Sequence, residues 1–171
     1  MNRTVFSLPP ESQFVTAAGL AITRRTESFA GGARLDALVE TLDSRRGVML
    51  SSGTTVPGRY ESFDLGFADP PLSLTTREAE FAIEAQNARG EVLVAFLAET
   101  LSDPSFAIEE RSAGRIAGKI LRGEAPVDEE QRTRRASAMS LVRALVAAFS
   151  SSADPMLGLY GAFAYDLVFQ I

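Results

Sequence analysis

The sequence predicts an α+β fold with a mixed or antiparallel sheet and about three helices. Short apolar segments with the two-residue alternation of strands are interspersed with segments whose apolar residues recur every three or four positions. Strands and helices do not alternate regularly, so crossover helices between parallel strands are not expected. No internal repeat or low-complexity tract is present. These observations favour an α+β fold over a regular succession of β-α-β units.

The composition is ordinary for a soluble globular protein and argues against several functional classes. Hydrophobic residues make up 46% of the 171 residues and charged residues 23%, which is enough to bury the core of one domain. The net charge is −5 and no basic cluster interleaves with aromatic residues, so nucleic-acid binding is not expected. No apolar stretch approaches the ~20 residues of a membrane-spanning helix, and the first residues do not lead us to expect a secretory signal. A cytoplasmic protein is therefore expected.

Cysteine and histidine are both absent from the chain. Without cysteine there can be no disulfide framework or thiolate metal site, and without histidine any catalysis would depend on carboxylates, lysine or hydroxyls. The acidic pairs Glu109-Glu110 and Glu129-Glu130 could bind Mg²⁺, but solvated faces and helix starts explain them better. Phosphate-loop, dinucleotide and hydrolase-elbow motifs do not occur. The sequence therefore predicts no catalytic residue and no metal ligand in this chain.

The first part of the chain is predicted to contain one strand and one helix. Residues 1–17 are interpreted as a loosely attached lead-in, because Pro9-Pro10 opposes regular structure. A domain over residues 18–171 follows, and its first element is a short strand around residues 20–22. Apolar residues at three- and four-residue steps predict an amphipathic helix over 33–45.

The next stretch contains the clearest strand-end and turn signals in the sequence. Residues 48–50 are predicted to form a short buried strand, which Ser51-Ser52 ends with small polar residues. Pro57-Gly58 indicates a turn, because proline presets φ and glycine accepts positive φ. An extended run then leads to Asp69-Pro70-Pro71, where the two prolines cannot donate ladder hydrogen bonds and so end it.

The middle of the chain is predicted to be strand, helix and hairpin in that order. Alternation over 79–85 predicts a strand, and a broad apolar face over 91–101 predicts the second helix. Two edge-type strands are predicted over 106–110 and 115–121, joined by a turn at 112–114.

The last part of the chain is predicted to be the longest helix followed by a buried strand. The helix is expected to open at Asp128, with Gln131 completing a capping box, and to run to residue 149. A loop over 150–155 precedes an apolar run over 157–171, which is interpreted as a strand buried on both faces. Because no polar tail follows, we expect the natural protein to continue, and the isolated chain to self-associate through this segment as a homo-oligomer.

Several motifs resemble, in order and in spacing, the start of anthranilate synthase component I, particularly the branch that is fused to its glutamine amidotransferase. They are Ser51-Ser52, Pro57-Gly58-Arg59-Tyr60, Asp69-Pro70-Pro71-Leu72, Ile83-Glu84-Ala85, Asn87, Arg89-Gly90-Glu91, the run from Leu159 to Leu167, and Phe169-Gln170. Each motif is short, but their common order is far more specific than any one of them. The resemblance covers residues from about 18 to 170.

The resemblance implies an N-terminal regulatory domain, truncated before the chorismate-binding domain, within a four-layer α/β/β/α assembly. Such enzymes convert chorismate and ammonia, or glutamine, to anthranilate and pyruvate with Mg²⁺ in tryptophan biosynthesis. The implied partners are the chorismate-binding domain, the glutamine amidotransferase domain and tryptophan as a feedback effector. In the family the Mg²⁺ carboxylates and the acid/base histidine lie in downstream motifs, so the 171-residue chain is expected to be inactive.

The resemblance also implies the candidate site residues. Ser51 and Ser52 match the position of the tryptophan feedback pocket, and Arg59 in the following turn could bind a carboxylate by a bidentate pair. From the residues alone, a polar strand end is the favoured interpretation of the serines, and a solvated turn that of Arg59.

One departure from the fused branch leaves alternatives open. That branch usually has Asn-Tyr-Glu-Tyr between the serines and the Pro-Gly turn, whereas this chain has Gly53-Thr54-Thr55-Val56. Two aromatic rings and a carboxylate are thereby missing from the loop. The alternatives are a paralogous chorismate enzyme of a secondary pathway, and an autonomous small-molecule-binding or interaction module of the same fold.

Overall fold

The computed structural model describes residues 9–29, 33–52, 64–121 and 135–165, which form eight strands and three helices. The strands are β1 (Glu11–Val15), β2 (Ala21–Arg25), β3 (Gly47–Ser51), β4 (Asp64–Ala68), β5 (Leu72–Arg77), β6 (Glu80–Ala85), β7 (Phe106–Ser112) and β8 (Arg115–Ile120). The helices are α1 (Ala33–Leu42), α2 (Ala88–Thr100) and α3 (Ala138–Phe149).

Every strand pairing in the described ranges is antiparallel, and the strands form three sheets. β1 pairs with β2, β3 pairs with β4, and the largest sheet has the order β5-β6-β8-β7. The predicted α+β fold with three helices is therefore confirmed. None of the helices in these ranges combines the length and the apolar character that a bilayer crossing needs.

The core lies between the four-stranded sheet and the helices α2 and α3. Alternate residues of β6 and β8 point to the same face, and Ile83 lies directly opposite Ile116 in the register. Leu97 of α2 and Leu141 of α3 complete this cluster, in which all four side chains are buried. Burying each such side chain contributes about 1.5–3 kcal/mol. This packing makes the sheet with α2 and α3 the most fully buried part of the described structure.

The spacing of apolar residues predicted the positions of most of these elements correctly. The helices predicted over 33–45 and 91–101 correspond to α1 and α2, and the strand predicted over 79–85 corresponds to β6. The predicted hairpin corresponds to β7 and β8, but β8 is not an edge strand, because it lies between β6 and β7. Its residues Ile116 and Ile120 are buried under the helices.

The first strand contradicts the prediction of a loosely attached lead-in. Glu11–Val15 form β1, which pairs along its whole length with β2. The two prolines precede the strand and so do not interrupt its ladder. The carbonyl of Pro10 even accepts a hydrogen bond from Thr26 N at 2.8 Å, because proline lacks a donor but keeps its acceptor.

The helix predicted over 128–149 is not continuous in its described part. Arg135–Ser137 are not helical, and α3 starts after Ser137, whose φ of −148° is extended. The hydroxyl of Ser140 accepts a hydrogen bond from Ser137 N at 3.1 Å and so fixes the helix start. The capping pair Asp128 and Gln131, by contrast, lies outside the described residues.

The prediction of a strand buried on both faces over 157–171 is wrong for its described part. Residues 157–165 form no strand, and the side chains of Phe163 and Tyr165 are 65% and 85% exposed. Tyr160 packs against Phe67 with ring centroids 5.7 Å apart and donates to Met156 O at 2.5 Å. Apolar sequence predicts burial only where a surface exists to pack on. Residues 166–171 lie outside the described ranges.

Candidate functional site

The β3–β4 hairpin carries the two serines of the predicted effector site. Ser51 is the last residue of β3 and lies opposite Asp64, the first residue of β4. Its hydroxyl donates a hydrogen bond to Asp64 Oδ1 at 2.6 Å, and both Ser51 and Ser52 are exposed. The strand end therefore presents a carboxylate oriented by a serine hydroxyl.

Close contact with α1 explains why glycines occur in this hairpin. A Cβ on Gly47 would come within 2.5 Å of Leu42 Cδ2 in α1 and within 2.1 Å of Phe67 O in β4, and one on Gly66 within 2.6 Å of Leu38 Cδ2 in α1. Real Cβ atoms essentially never approach other atoms this closely, so larger residues would force α1 and the hairpin apart. The two glycines thus set the packing of the hairpin against α1.

The strand that carries the serines is present, but it is not buried as predicted. Val48 and Met49 are half-buried, and the side chain of Leu50 is 47% exposed. In the described ranges both strands of the hairpin pack against α1. An apolar strand was interpreted as a buried one, but its second face, where Val48 lies opposite Phe67, is covered only in part, by the ring of Tyr160.

Arg59 and the Pro57-Gly58 turn lie outside the described residues. The structure brings Ser51 and Ser52 together with Asp64 but does not test whether Arg59 joins them. Asp64 was not singled out from the sequence. The signal that could have found it is the pairing of the two strands, because an antiparallel register places the first residue after the turn opposite the last residue before it.

A cleft of about 510 Å³ lies at the other end of β3, and we call it the arginine cleft. The strand rises about 3.3 Å per residue, so the serines lie roughly 13 Å from Gly47, where the strand begins. The cleft and the serine end of β3 are therefore separate features. It is lined by Arg45, Arg46, Asp69, Pro70, Gln86, Asn87, Ala88 and Arg89.

One wall of the arginine cleft is the turn that follows β4. Asp69 has a φ of +55° and donates its N–H to Arg46 O at 2.8 Å. Its carboxylate forms a two-pronged ion pair with Arg45, in which Nε lies 2.9 Å from Oδ1 and Nη2 contacts Oδ2. Both side chains are substantially exposed, so this pair orients the turn more than it stabilises the fold.

The opposite wall is the start of α2. Asn87 caps the helix by accepting a hydrogen bond from Gly90 N at 3.2 Å, and its amide donates to Pro70 O at 3.5 Å. A Cβ on Gly90 would lie 2.0 Å from Pro71 O, so only glycine lets the turn dock here. The Asn87, Gly90 and Asp69-Pro70-Pro71 motifs noted in the sequence thus form one structural unit.

Comparisons with known proteins show what this chain is similar to. No family model matches the chain, and no solved structure matches it either. The chain is 42% identical over 159 residues to an anthranilate synthase of Azospirillum brasilense. The match covers 92% of this chain but only 22% of that protein, so the chain spans about a fifth of its relative's length. The resemblance to anthranilate synthase predicted from the motifs is thereby confirmed, and the similarity extends over nearly the whole of this chain.

Proposed function

We propose that the chain is the N-terminal regulatory part of an anthranilate synthase, acting in tryptophan biosynthesis. The observation that supports this most strongly is the 42% identity over 92% of the chain to an anthranilate synthase. The complete enzyme would convert chorismate and ammonia, or glutamine, to anthranilate and pyruvate. Its further parts would be a chorismate-binding domain and a glutamine amidotransferase domain.

Catalysis belongs, in this proposal, to the chorismate-binding domain. The chain contains no histidine, and the described residues bring no group of three or more Asp or Glu side chains together to hold a metal ion. These residues therefore do not fit a Mg²⁺ site, and we assign Mg²⁺ to the complete enzyme. The role left for this chain is to support that domain and to bind an effector.

The uncovered face of the four-stranded sheet supports the proposed four-layer assembly. In the described ranges α2 and α3 pack on one face of this sheet. The other face presents the neighbouring residues Ala82 and Ala117, with Arg115 paired to Glu84 and to Glu110 beside them. Small residues in the middle of a sheet allow a second sheet to approach closely, while the ion pairs remain at the rim.

The polar groups at the serine end of β3 are chemically suited to bind tryptophan. An amino-acid effector presents an ammonium and a carboxylate on the same carbon atom, and each needs a partner of opposite charge or a strong hydrogen bond. The Asp64 carboxylate, held by the Ser51 hydroxyl at 2.6 Å, would receive the ammonium. Ser52 and Arg59 are proposed to bind the effector's carboxylate.

Feedback inhibition of the complete enzyme by tryptophan tests the proposed site. Ser52→Phe should fill the space and leave the effector's polar groups unpaired, which weakens inhibition by roughly 5- to 150-fold, or ~1–3 kcal/mol. Ser112→Phe replaces an exposed serine at the end of β7 and should leave the inhibition constant unchanged. If wild type and Ser52→Phe are inhibited equally, the effector does not bind at this strand end.

A separate assay, based on the fluorescence of anthranilate, tests whether catalysis belongs to the rest of the complete protein and not to this chain. The complete protein should form anthranilate from chorismate and ammonia, whereas the 171-residue chain alone should form none above a blank without protein. Product from the isolated chain would show that the catalytic residues lie within it. A complete protein without activity towards chorismate would contradict the proposed enzyme, whatever the result with tryptophan.

A further inference from the structure

The arginine cleft has a positive charge that its surroundings do not neutralise. Arg45 is paired with Asp69, but Arg46 and Arg89 have no ion-pair partner among the described residues. With Arg45, Arg46 and Arg89 against Asp69, the lining carries a net charge of about +2 in a chain whose formal charge is −5. Two unpaired guanidinium groups on one concave surface favour an anionic ligand.

The two arginines come from separate elements that the fold brings to the same cleft. Arg46 lies in the segment between α1 and β3, and Arg89 lies in the first turn of α2, 43 positions later. Like charges repel one another, so placing these guanidinium groups on one cleft costs free energy in the free protein. An oxyanion between them would remove that repulsion and gain two charge-assisted contacts.

The walls of the cleft are already in place without a ligand. The ion pair between Arg45 and Asp69 orients one wall, and the amide of Asn87 ties that wall to α2 through Pro70. The backbone N–H groups of Ala88 and Arg89 have no acceptor in the described structure, whereas those of Gly90 and Glu91 bond to Asn87. A ligand would therefore meet oriented donors and little reorganisation cost.

We propose that the arginine cleft binds a small molecule through a compact oxyanion, either a carboxylate or a phosphate group. Its volume of about 510 Å³ suits a ligand of metabolite size. Arg46 and Arg89 bind the oxyanion, and the rest of the ligand lies along Pro70 and the Gln86 side of the cleft. This site is independent of the proposed tryptophan site, which lies at the other end of β3.

Titration of the 171-residue chain with inorganic phosphate and, separately, with malonate tests the proposal. The readout is the shift of backbone amide resonances in ¹⁵N NMR spectra at low ionic strength. The Ala88 and Arg89 amides should shift saturably with at least one of the two anions. Saturation by phosphate alone assigns a phosphate ligand, and saturation by malonate alone assigns a carboxylate.

Three variants separate a specific site from general attraction of anions. Arg46→Ala and Arg89→Ala should each weaken binding about three- to tenfold, whereas Arg77→Ala, at an exposed arginine of β5 outside the cleft, should not change it. Circular dichroism checks that each variant remains folded. The proposal is overturned if neither anion gives saturable shifts at Ala88 and Arg89, or if Arg77→Ala weakens binding as much as the other two variants.

Discussion

The four-stranded sheet with α2 and α3 differs sharply from the β3–β4 hairpin with α1 in how much apolar surface each buries. In the first region Leu97 and Ile116 are 0% exposed. In the second, Val39 of α1 is 51% exposed, and no residue of β3, β4 or the described part of α1 is fully buried. Buried apolar area is the main favourable term in folding, so the first region holds the fold together. The hairpin that carries the serines has the lower local stability, as expected of a segment that responds to a ligand.

The largest expected effect is the loss of a core leucine. Leu97→Ala should destabilise the protein by about 2–5 kcal/mol, because a fully buried side chain leaves a cavity under the sheet. The matched control is Leu38→Ala in α1, where the leucine is only half-buried against the hairpin and the cost should be about 1–2 kcal/mol. Urea unfolding followed by circular dichroism measures both. Equal costs would contradict the contrast between the two regions.

The docking of the Asp69-Pro70-Pro71 turn on α2 joins the two regions, and one methyl group should disturb it. Gly90→Ala places a Cβ 2.0 Å from Pro71 O, so the turn or the helix must move, at a cost of about 1–3 kcal/mol. Gly114→Ala is the control, because a Cβ there meets nothing within 4 Å. Thermal unfolding should show a clearly lower midpoint for Gly90→Ala alone. A midpoint unchanged from wild type would mean that this contact does not hold the turn.

Hydrogen exchange of backbone amides compares the stability of the two regions without any substitution. The amides of β6 and β8, which are paired on both sides in the sheet, should exchange through opening of most of the fold. Those of β3 and β4 belong to a two-stranded sheet and should exchange roughly tenfold or more faster. Mass spectrometry or NMR at one pH can follow both sets. Slower amide exchange in β3 than in β8 would show that the four-stranded sheet is not the most stable part of the fold.

The smallest expected effect is a change in the pKa of one exposed side chain, Asp103. The side-chain hydroxyl of Ser105, at 2.6 Å, and then its backbone N–H, at 2.9 Å, hold the pKa of Asp103 below its ordinary value of 3.8. Ser105→Ala should raise this pKa while leaving part of the depression, because the backbone donor remains. NMR titration of the Asp103 carboxyl carbon measures the shift. A pKa that does not rise would exclude the hydroxyl as the main cause.

The sign of the accompanying pH effect follows from the direction of that shift. Because the folded protein lowers the pKa of Asp103, the contribution to stability is complete above the ordinary value of 3.8 and is lost as pH falls through the lowered value. The carboxylate is fully exposed, so this contribution is small, and Ser105→Ala should lower the stability only slightly at neutral pH, where the contribution is fully present.

The sequence by itself determined the elements whose pattern is local. The apolar spacing of α1 and α2, the alternation of β6, and the turn between β7 and β8 are properties of consecutive residues, and the structure confirms each of them. The order of the motifs likewise predicted the resemblance to anthranilate synthase, because motif order is a property of the sequence alone. Ser51 and Ser52 were correctly predicted to end a strand for the same reason.

Only the tertiary structure decided which elements meet and which are covered. β1 depends on its pairing with β2, and the central position of β8 depends on strands distant in sequence. Residues 157–165 are as apolar as a buried strand, yet burial needs a facing surface, which no local pattern encodes. The arginine cleft has the same origin: Arg46 and Arg89 lie 43 positions apart, and folding alone brings their charges to one surface.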